Sequence, residues 1–458
     1  MTRVVILYGR KLEKVLVDSD MEIDVSAIAG VPVREWFAPR EDRSGWRGLI
    51  EEIHAAIADD GAELNFEFQG PKEYKSIFEV CLKECGIFSS ADGLDDKALI
   101  EETFSEAERL DHRGSYKMAL EKYEAAGNMG HPQAQFQAGE YYRKGLGCES
   151  DVEHAAYWYE KAAKQDYAPA EYQLGVCYAN GNGVKKDPKQ AADRYRKAAE
   201  QRYAPAQCNL GNCYYKGEGV EKDLKQAADW YRKAAEQGYA RGQCKLGICY
   251  EYGVGVEKDP KQAAGWYRKA AEQGSATAQF SLGACYYNGE GVEKDLKQAV
   301  DWYRKAAEQG SARAQYRLGV CYEFGIGTEK DPKRTADWYR KAAEQGNTDA
   351  QYRLGTCYRC GKGVEKDQKQ AADWFRKAAE QGDAPAQWNL GVCYKYGMGV
   401  EKDLKQAAEW YRKAAEQGDE TAQYFLGCCY RYGDGVQKDL KQAEEWLRRS
   451  AEQRRNVK

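Results

Sequence analysis

Eight of the fifteen cysteines hold the fourth place of one recurring pentapeptide: LGVCY at 174–178, 318–322 and 390–394, and LGNCY, LGICY, LGACY, LGTCY and LGCCY beginning at 210, 246, 282, 354 and 426. They are Cys177, Cys213, Cys249, Cys285, Cys321, Cys357, Cys393 and Cys429. Thiolates can hold zinc, form disulfides or exchange with them. Each of these chemistries needs a complement. Cys357 and Cys360 form a C-x-x-C, yet no second such pair and no H-x-x-x-H completes a zinc set. Cys81 and Cys85 stand one helical turn apart, while the four histidines, His54, His112, His131 and His154, are scattered. No metal and no cofactor is expected. The Gly-x-Gly loops, such as Gly181-Asn-Gly183-Val, lack the preceding strand, third glycine and trailing Lys-Ser/Thr of a phosphate loop. No Gly-x-Ser-x-Gly, His-Glu-x-x-His or Ser-x-x-Lys constellation occurs, so no catalytic residue is expected.

The pentapeptide belongs to a longer pattern. Its glycine recurs at Gly175, Gly211, Gly247, Gly283, Gly319, Gly355, Gly391 and Gly427, always 36 residues apart, and Gly139 extends the series upstream. A tryptophan keeps the same step at 158, 230, 266, 302, 338, 374, 410 and 446, with Arg194 as the exception. The unit at 384–419 predicts two helices. The first runs from about Pro385 to Tyr396 and ends at Gly397 and Gly399, which accept left-handed backbone angles. The second starts at an N-cap, Asp403, with Gln406 placed as in a capping box, and stops at Gly418. Its Ala407, Ala408, Tyr411, Ala414 and Ala415 form the inward face, while Lys405, Arg412 and Lys413 point outward. A hairpin of this kind buries its apolar stripe only by stacking on neighbours, with tryptophan and tyrosine filling between helices. Cys393 then falls on the inward face as a small hydrophobe. Its equivalents in adjacent units are separated by roughly a helix spacing, about 8–10 Å or more, beyond disulfide reach.

Leu-Gly followed by Tyr, then Gly-x-Gly-Val, then Ala-Ala…Trp-Tyr…Lys-Ala-Ala on a 36-residue step resembles the Sel1-like repeats, relatives of tetratricopeptide repeats. The resemblance covers 128–453, about nine units. It implies a mainly α fold, a right-handed α-solenoid of helical hairpins, in proteins that mostly act as adaptors assembling complexes. Some secreted relatives carry two paired cysteines per unit; here most units carry one. Residues 101–127 resemble a tetratricopeptide hairpin that caps the stack, and 454–458 make a basic tail.

By the same resemblance, the concave surface uses first-helix positions two before the leucine, one after the glycine, and one and two after the tyrosine. The first row contains Tyr172 and Trp388. The row after the tyrosine contains Tyr215, Glu251, Tyr287, Glu323, Arg359, Lys395 and Arg431. The last contains Tyr252, Phe324, Tyr396 and Tyr432. The type changes from unit to unit, as packing alone does not require. Tyrosine, tryptophan and arginine dominate interface hot spots, so these thirteen residues are the candidate site for a protein or peptide partner. The first row could equally pack on neighbouring helices; the second is expected to be exposed. Glutamates in the middle and cations toward the C-terminus suit a mixed-charge ligand.

Charge is nearly balanced, at −4, with 69 basic and 73 acidic residues, which disfavours a general nucleic-acid or membrane-surface binder. No membrane span or signal-peptide core is legible, so a cytoplasmic location with reduced thiols is expected. Residues 1–100 lack the repeat. VVILY, KVLV, VPVREWF and LNFEF read as strands, and 45–60 and 71–85 as amphipathic helices, giving a small α/β domain. The resulting expectation is a non-enzymatic scaffold that binds a protein or peptide in its concave groove. The alternative is an enzymatic or nucleotide-binding N-terminal module that the repeats target.

Overall fold

The computed structural model describes residues 96–456, together with the backbone of four strand segments nearer the N-terminus. The strands are β1 (Thr2–Tyr8), β2 (Leu12–Val17), β3 (Met21–Ile23) and β4 (Leu64–Gln69). They form one sheet in the order β3-β2-β1-β4. β1 pairs antiparallel with β2, Val5 opposite Leu16, and parallel with β4, Val4 opposite Phe66. VVILY, KVLV and LNFEF fall within these strands. VPVREWF, both expected N-terminal helices, Cys81 and Cys85 lie outside the described residues.

Among the described residues, twenty helices follow in consecutive hairpin pairs. They belong to two compact units, Met1–Trp230 and Tyr231–Lys458. The first pair, Asp96–His112 and Tyr116–Asn128, packs Phe104, Ala107, Leu120 and Tyr123 against Ala134, Ala138 and Trp158 of the first repeat. The last helix, Leu440–Asn456, runs on through most of the expected tail.

One hairpin of the second unit shows why this sequence folds as it does. Its first helix, Ala276–Asn288, is capped by Ser275 and ends at Gly289, φ +79°. Its second, Leu296–Glu308, starts at Asp295, whose carboxylate accepts from the backbone N–H of Lys297 (2.9 Å) and Gln298 (3.0 Å). The expected capping box does not close. The Asp295 N–H already donates to the Tyr286 carbonyl at 3.0 Å, so the Gln298 amide turns to the Asp295 carboxylate at 3.2 Å. That backbone bond ties the start of the second helix to the end of the first, and Asp403 repeats it with Tyr394.

The Leu-Gly step is set by tertiary packing. A Cβ on Gly283 would lie 2.8 Å from the Tyr303 ring; Gly175, Gly247, Gly319, Gly355 and Gly391 meet the equivalent ring as closely, and Gly427 meets Leu447 in its place. Tyr303 is 2% exposed, while Trp302 is half-buried with the Lys305 ammonium 3.9 Å from its ring centroid. Tyrosine therefore fills the core, and tryptophan covers its edge beneath a cation. Of the residues expected outside, Lys405 and Lys413 are exposed, but Arg412 is half-buried and donates to the Tyr430 hydroxyl at 3.1 Å.

A glutamine ladder, which periodicity did not reveal, runs beneath. Gln279 donates to the Ala271 carbonyl at 3.1 Å, and Gln309 donates to Gln279 at 2.7 Å. The pattern recurs at Gln315 with Gln345 and at Gln351 with Gln381. The glutamine–glutamine bonds tie the two helices of one hairpin, and the bond to the alanine carbonyl joins that hairpin to the one before, so that buried amide groups are satisfied.

The pentapeptide cysteines are all buried and unpaired. Burial pushes the Cys321 and Cys393 thiols up to about 11 and the Cys285 thiol to about 12, far from the thiolate form at neutral pH. Cys360, one turn from Cys357, is exposed. A maleimide reagent at neutral pH is therefore expected to modify Cys360 within minutes and the eight pentapeptide thiols only after denaturation. Mass spectrometry locates the adducts; prompt labelling of Cys321 or Cys393 in the native protein would contradict their core placement.

Candidate interaction surface

The first helix of each hairpin ends one residue before a left-handed glycine, and this last position points away from the second helix. In the second unit it carries Tyr252, Phe324, Tyr396 and Tyr432, which are 68%, 50%, 60% and 68% exposed. They recur at one position of the first helices, so they mark one row of the surface. The intervening repeats place exposed Asn288 and Cys360 there. In the first unit the same position is polar and exposed, at Lys144, Asn180 and Lys216. Tyr215, 45% exposed, is that unit's accessible aromatic among the expected site residues.

The row immediately after the tyrosine is less open than expected. Arg431 is exposed, but Glu251, Tyr287, Glu323, Arg359 and Lys395 are half-buried. Glu251 accepts from the Tyr267 hydroxyl, and Glu323 from the Tyr339 hydroxyl at 2.6 Å. Both tyrosines are fully buried, and burial with the adjacent carboxylate pushes their hydroxyls well above the usual tyrosine range. Where the facing residue is Arg359, the core ring is Phe375 instead of tyrosine, and the guanidinium lies 5.6 Å from its centroid.

The row two before the leucine packs at Tyr172 and Trp388, while its last member, Tyr424, is exposed. Tyr172 is half-buried, its ring centroid 5.9 Å from Tyr195 and 5.5 Å from Tyr203. Phe280, Tyr316 and Tyr352 pack likewise against Tyr303, Tyr339 and Phe375. Trp388 is half-buried against Phe425 at 6.2 Å, with its indole N–H buried and without a protein partner. Tyr172 and Trp388 are thus framework residues with little open surface. Of this row, Tyr172, Phe280, Tyr316 and Tyr352 stack near the core ring of their own hairpin, and Trp388 near Phe425 of the next.

A row that sequence reading passed over completes the surface: the residue just before the leucine. It meets the candidate row of the preceding hairpin. Arg353 lies 3.7 Å from the Glu323 carboxylate, Asn389 accepts from Arg359, and Phe425 sits 5.5 Å from the Lys395 ammonium. In the first unit, Gln173 donates to Glu140 at 3.0 Å. Glu140 also receives Arg143, Lys144 and the Tyr159 hydroxyl, and these bonds outweigh burial to hold its carboxyl down at about 2. Variation in charge at this row was the available signal. It could be interpreted only once the register between hairpins was known.

Among the described residues, no group of three or more His, Cys, Asp or Glu side chains is placed to hold a metal, and no helix is long and apolar enough to cross a membrane.

The Sel1 repeat family model matches nine successive segments, from 132–167 through 384–419 to 421–454. The crystal structure of c5321, a protective antigen present in uropathogenic Escherichia coli strains and displaying an SLR fold, is 33% identical. It covers 94% of this chain and 87% of its own, with a TM-score of 0.65. A Sel1 repeat protein from Oxalobacter formigenes is 32% identical over 74% of this chain and 94% of its own, with a TM-score of 0.52. Comparison with curated proteins found no match.

Proposed function

The chain belongs to the Sel1 repeat family, and from that premise we propose that it is a non-enzymatic scaffold binding a protein partner along the first-helix groove of its second unit. Sel1 repeat proteins generally act as scaffolds for protein–protein interaction. The observation that carries the specific reading is the exposed aromatic row, Tyr252, Phe324, Tyr396 and Tyr432. These side chains make no contribution to the hairpin cores, and the same position is Asn288 or Cys360 in neighbouring repeats. Buried, unpaired thiols suit an adaptor working in a reducing compartment such as the cytoplasm.

Replacing the four aromatics with serine is expected to weaken partner capture from the native cell by about 30-fold or more, since loss of one hot-spot aromatic typically costs about 2 kcal/mol. Helicity and the melting midpoint should stay within a few degrees of the parent. The control is Lys261→Glu with Lys297→Glu, on exposed positions of second helices. If the serine variant keeps its partners while this control loses them, binding lies on the second-helix face and the proposal fails.

A further inference from the structure

The last three first helices of the second unit, Thr348–Cys360, Ala384–Tyr396 and Glu420–Tyr432, differ from their predecessors in how charge is compensated. At Glu251 and Glu323 the chain supplies a carboxylate to its own buried tyrosine hydroxyl. At the equivalent place in the next-to-last hairpin the facing residue is Lys395. The Tyr411 hydroxyl there is fully buried and has no hydrogen-bond partner in the chain. The Trp388 indole N–H is a second buried donor without an acceptor. Both rings flank Phe425, whose centroid is 5.4 Å from Tyr411 and 6.2 Å from Trp388. The Lys395 ammonium lies over Phe425 and over Tyr396, at 5.5 and 5.7 Å, with rings and no carboxylate as its neighbours. On one side Arg359 bonds only the neutral amide of Asn389; on the other, Arg431 is exposed.

Cations and aromatic rings thus meet on a face above a buried hydroxyl whose acceptor, present in sister hairpins, is missing. The glutamates that made the whole row look mixed in charge are already engaged, Glu323 by Tyr339 and Arg353 as well. What remains open toward the C-terminal end is positive and aromatic. Resting on the scaffold reading above, we infer that this end of the groove binds an acidic peptide segment of the partner, with a carboxylate at Lys395 and apolar side chains against Tyr396 and Tyr432. The partner's carboxylate takes the electrostatic role that Glu323 plays in its own hairpin. A peptide fits better than a nucleic acid strand. First helices of adjacent repeats are about 10 Å or more apart, near the rise of three extended residues at about 3.3 Å each, whereas stacked bases need aromatic platforms at closer intervals.

The test uses the full-length chain. Random twelve-residue peptides displayed on phage are selected against it. Selected sequences are then measured by fluorescence anisotropy beside versions with Asp and Glu changed to Asn and Gln, and beside a twenty-residue oligo-dT. Enrichment in acidic and aromatic residues is expected, with at least tenfold weaker binding of the amide versions and a steep loss of affinity between 50 and about 300 mM salt. Lys395→Glu recreates the tyrosine–glutamate arrangement of the sister hairpins. It should therefore fold normally and still lose at least tenfold in binding, as should Arg431→Glu. Selection of basic or uncharged sequences, indifference to Lys395→Glu, or tighter binding of oligo-dT would each overturn the acidic-peptide assignment. If the selected peptides also bind the serine variant of the four aromatics unchanged, the scaffold reading of this face fails with it. Loss in the serine variant alone leaves that reading standing and removes only the carboxylate site.

Discussion

Gly291→Ala is expected to destabilise the second unit by about 3 kcal/mol or more, whereas Gly310→Ala costs about 1–2 kcal/mol. Both glycines have left-handed backbone angles, φ +73° and +91°, so alanine meets the same local penalty at each. They differ in what lies beside them. A Cβ at Gly310 meets nothing within 4 Å, but at Gly291 it would fall 1.9 Å from the Pro260 carbonyl oxygen. Pro260 is the first residue of the preceding hairpin's second helix. Gly327 on Leu296 and Gly363 on Pro332 make the same approach, so this glycine is where one hairpin docks on the next. Because the contact is backbone on backbone, no side-chain rotation relieves it. Hydrogen exchange in Pro260–Glu272 and Ala276–Asn288, read beside the urea midpoint, separates local opening from global unfolding, which repeat arrays do not always keep together. Equal effects of the two substitutions would mean that the docking contact is not what holds adjacent hairpins in register.

The second large effect concerns the break in the tryptophan series. Arg194 stands where other units have tryptophan, and Glu171 stands where they have the ladder glutamine. The two exceptions are one feature: Arg194 Nη1 lies 3.0 Å from a Glu171 carboxylate oxygen, and Glu171 is fully buried. Restoring the repeat residue alone, Arg194→Trp, removes the principal counter-charge and leaves only Lys197, at 3.6 Å. The expected cost is about 3 kcal/mol, the lower end for breaking a buried pair. Glu171→Gln with Arg194→Trp returns both positions to the repeat pattern and should regain most of that loss. A double-mutant cycle in urea measures the coupling, expected at about 1–3 kcal/mol. A double variant as unstable as Arg194→Trp would show that the pair is not the reason for the substitution.

The sequence by itself determined whatever depends on local chemistry repeated at a fixed step. Asp403 caps a helix because a carboxylate reaches two backbone N–H groups close to it in the chain. Gly397 ends one because only glycine enters φ +67° without strain. The 36-residue interval made stacking hairpins the consistent architecture, and burial of the pentapeptide cysteines followed from their spacing after leucine. Tertiary structure decided what depends on side chains from different helices. The Leu-Gly glycine answers to the Tyr303 ring, the capping glutamine is displaced by the Tyr286 carbonyl, and Arg194 is explained by Glu171. The candidate surface divided in the same way. Which residues vary was visible in the sequence, but exposure was not. Tyr172 and Trp388 pack because a ring from another helix lies against them. Glu251 and Glu323 are engaged because a tyrosine hydroxyl from the second helix reaches them. Tyr252, Phe324, Tyr396 and Tyr432 stay open at the last position of their helices, just before a left-handed glycine.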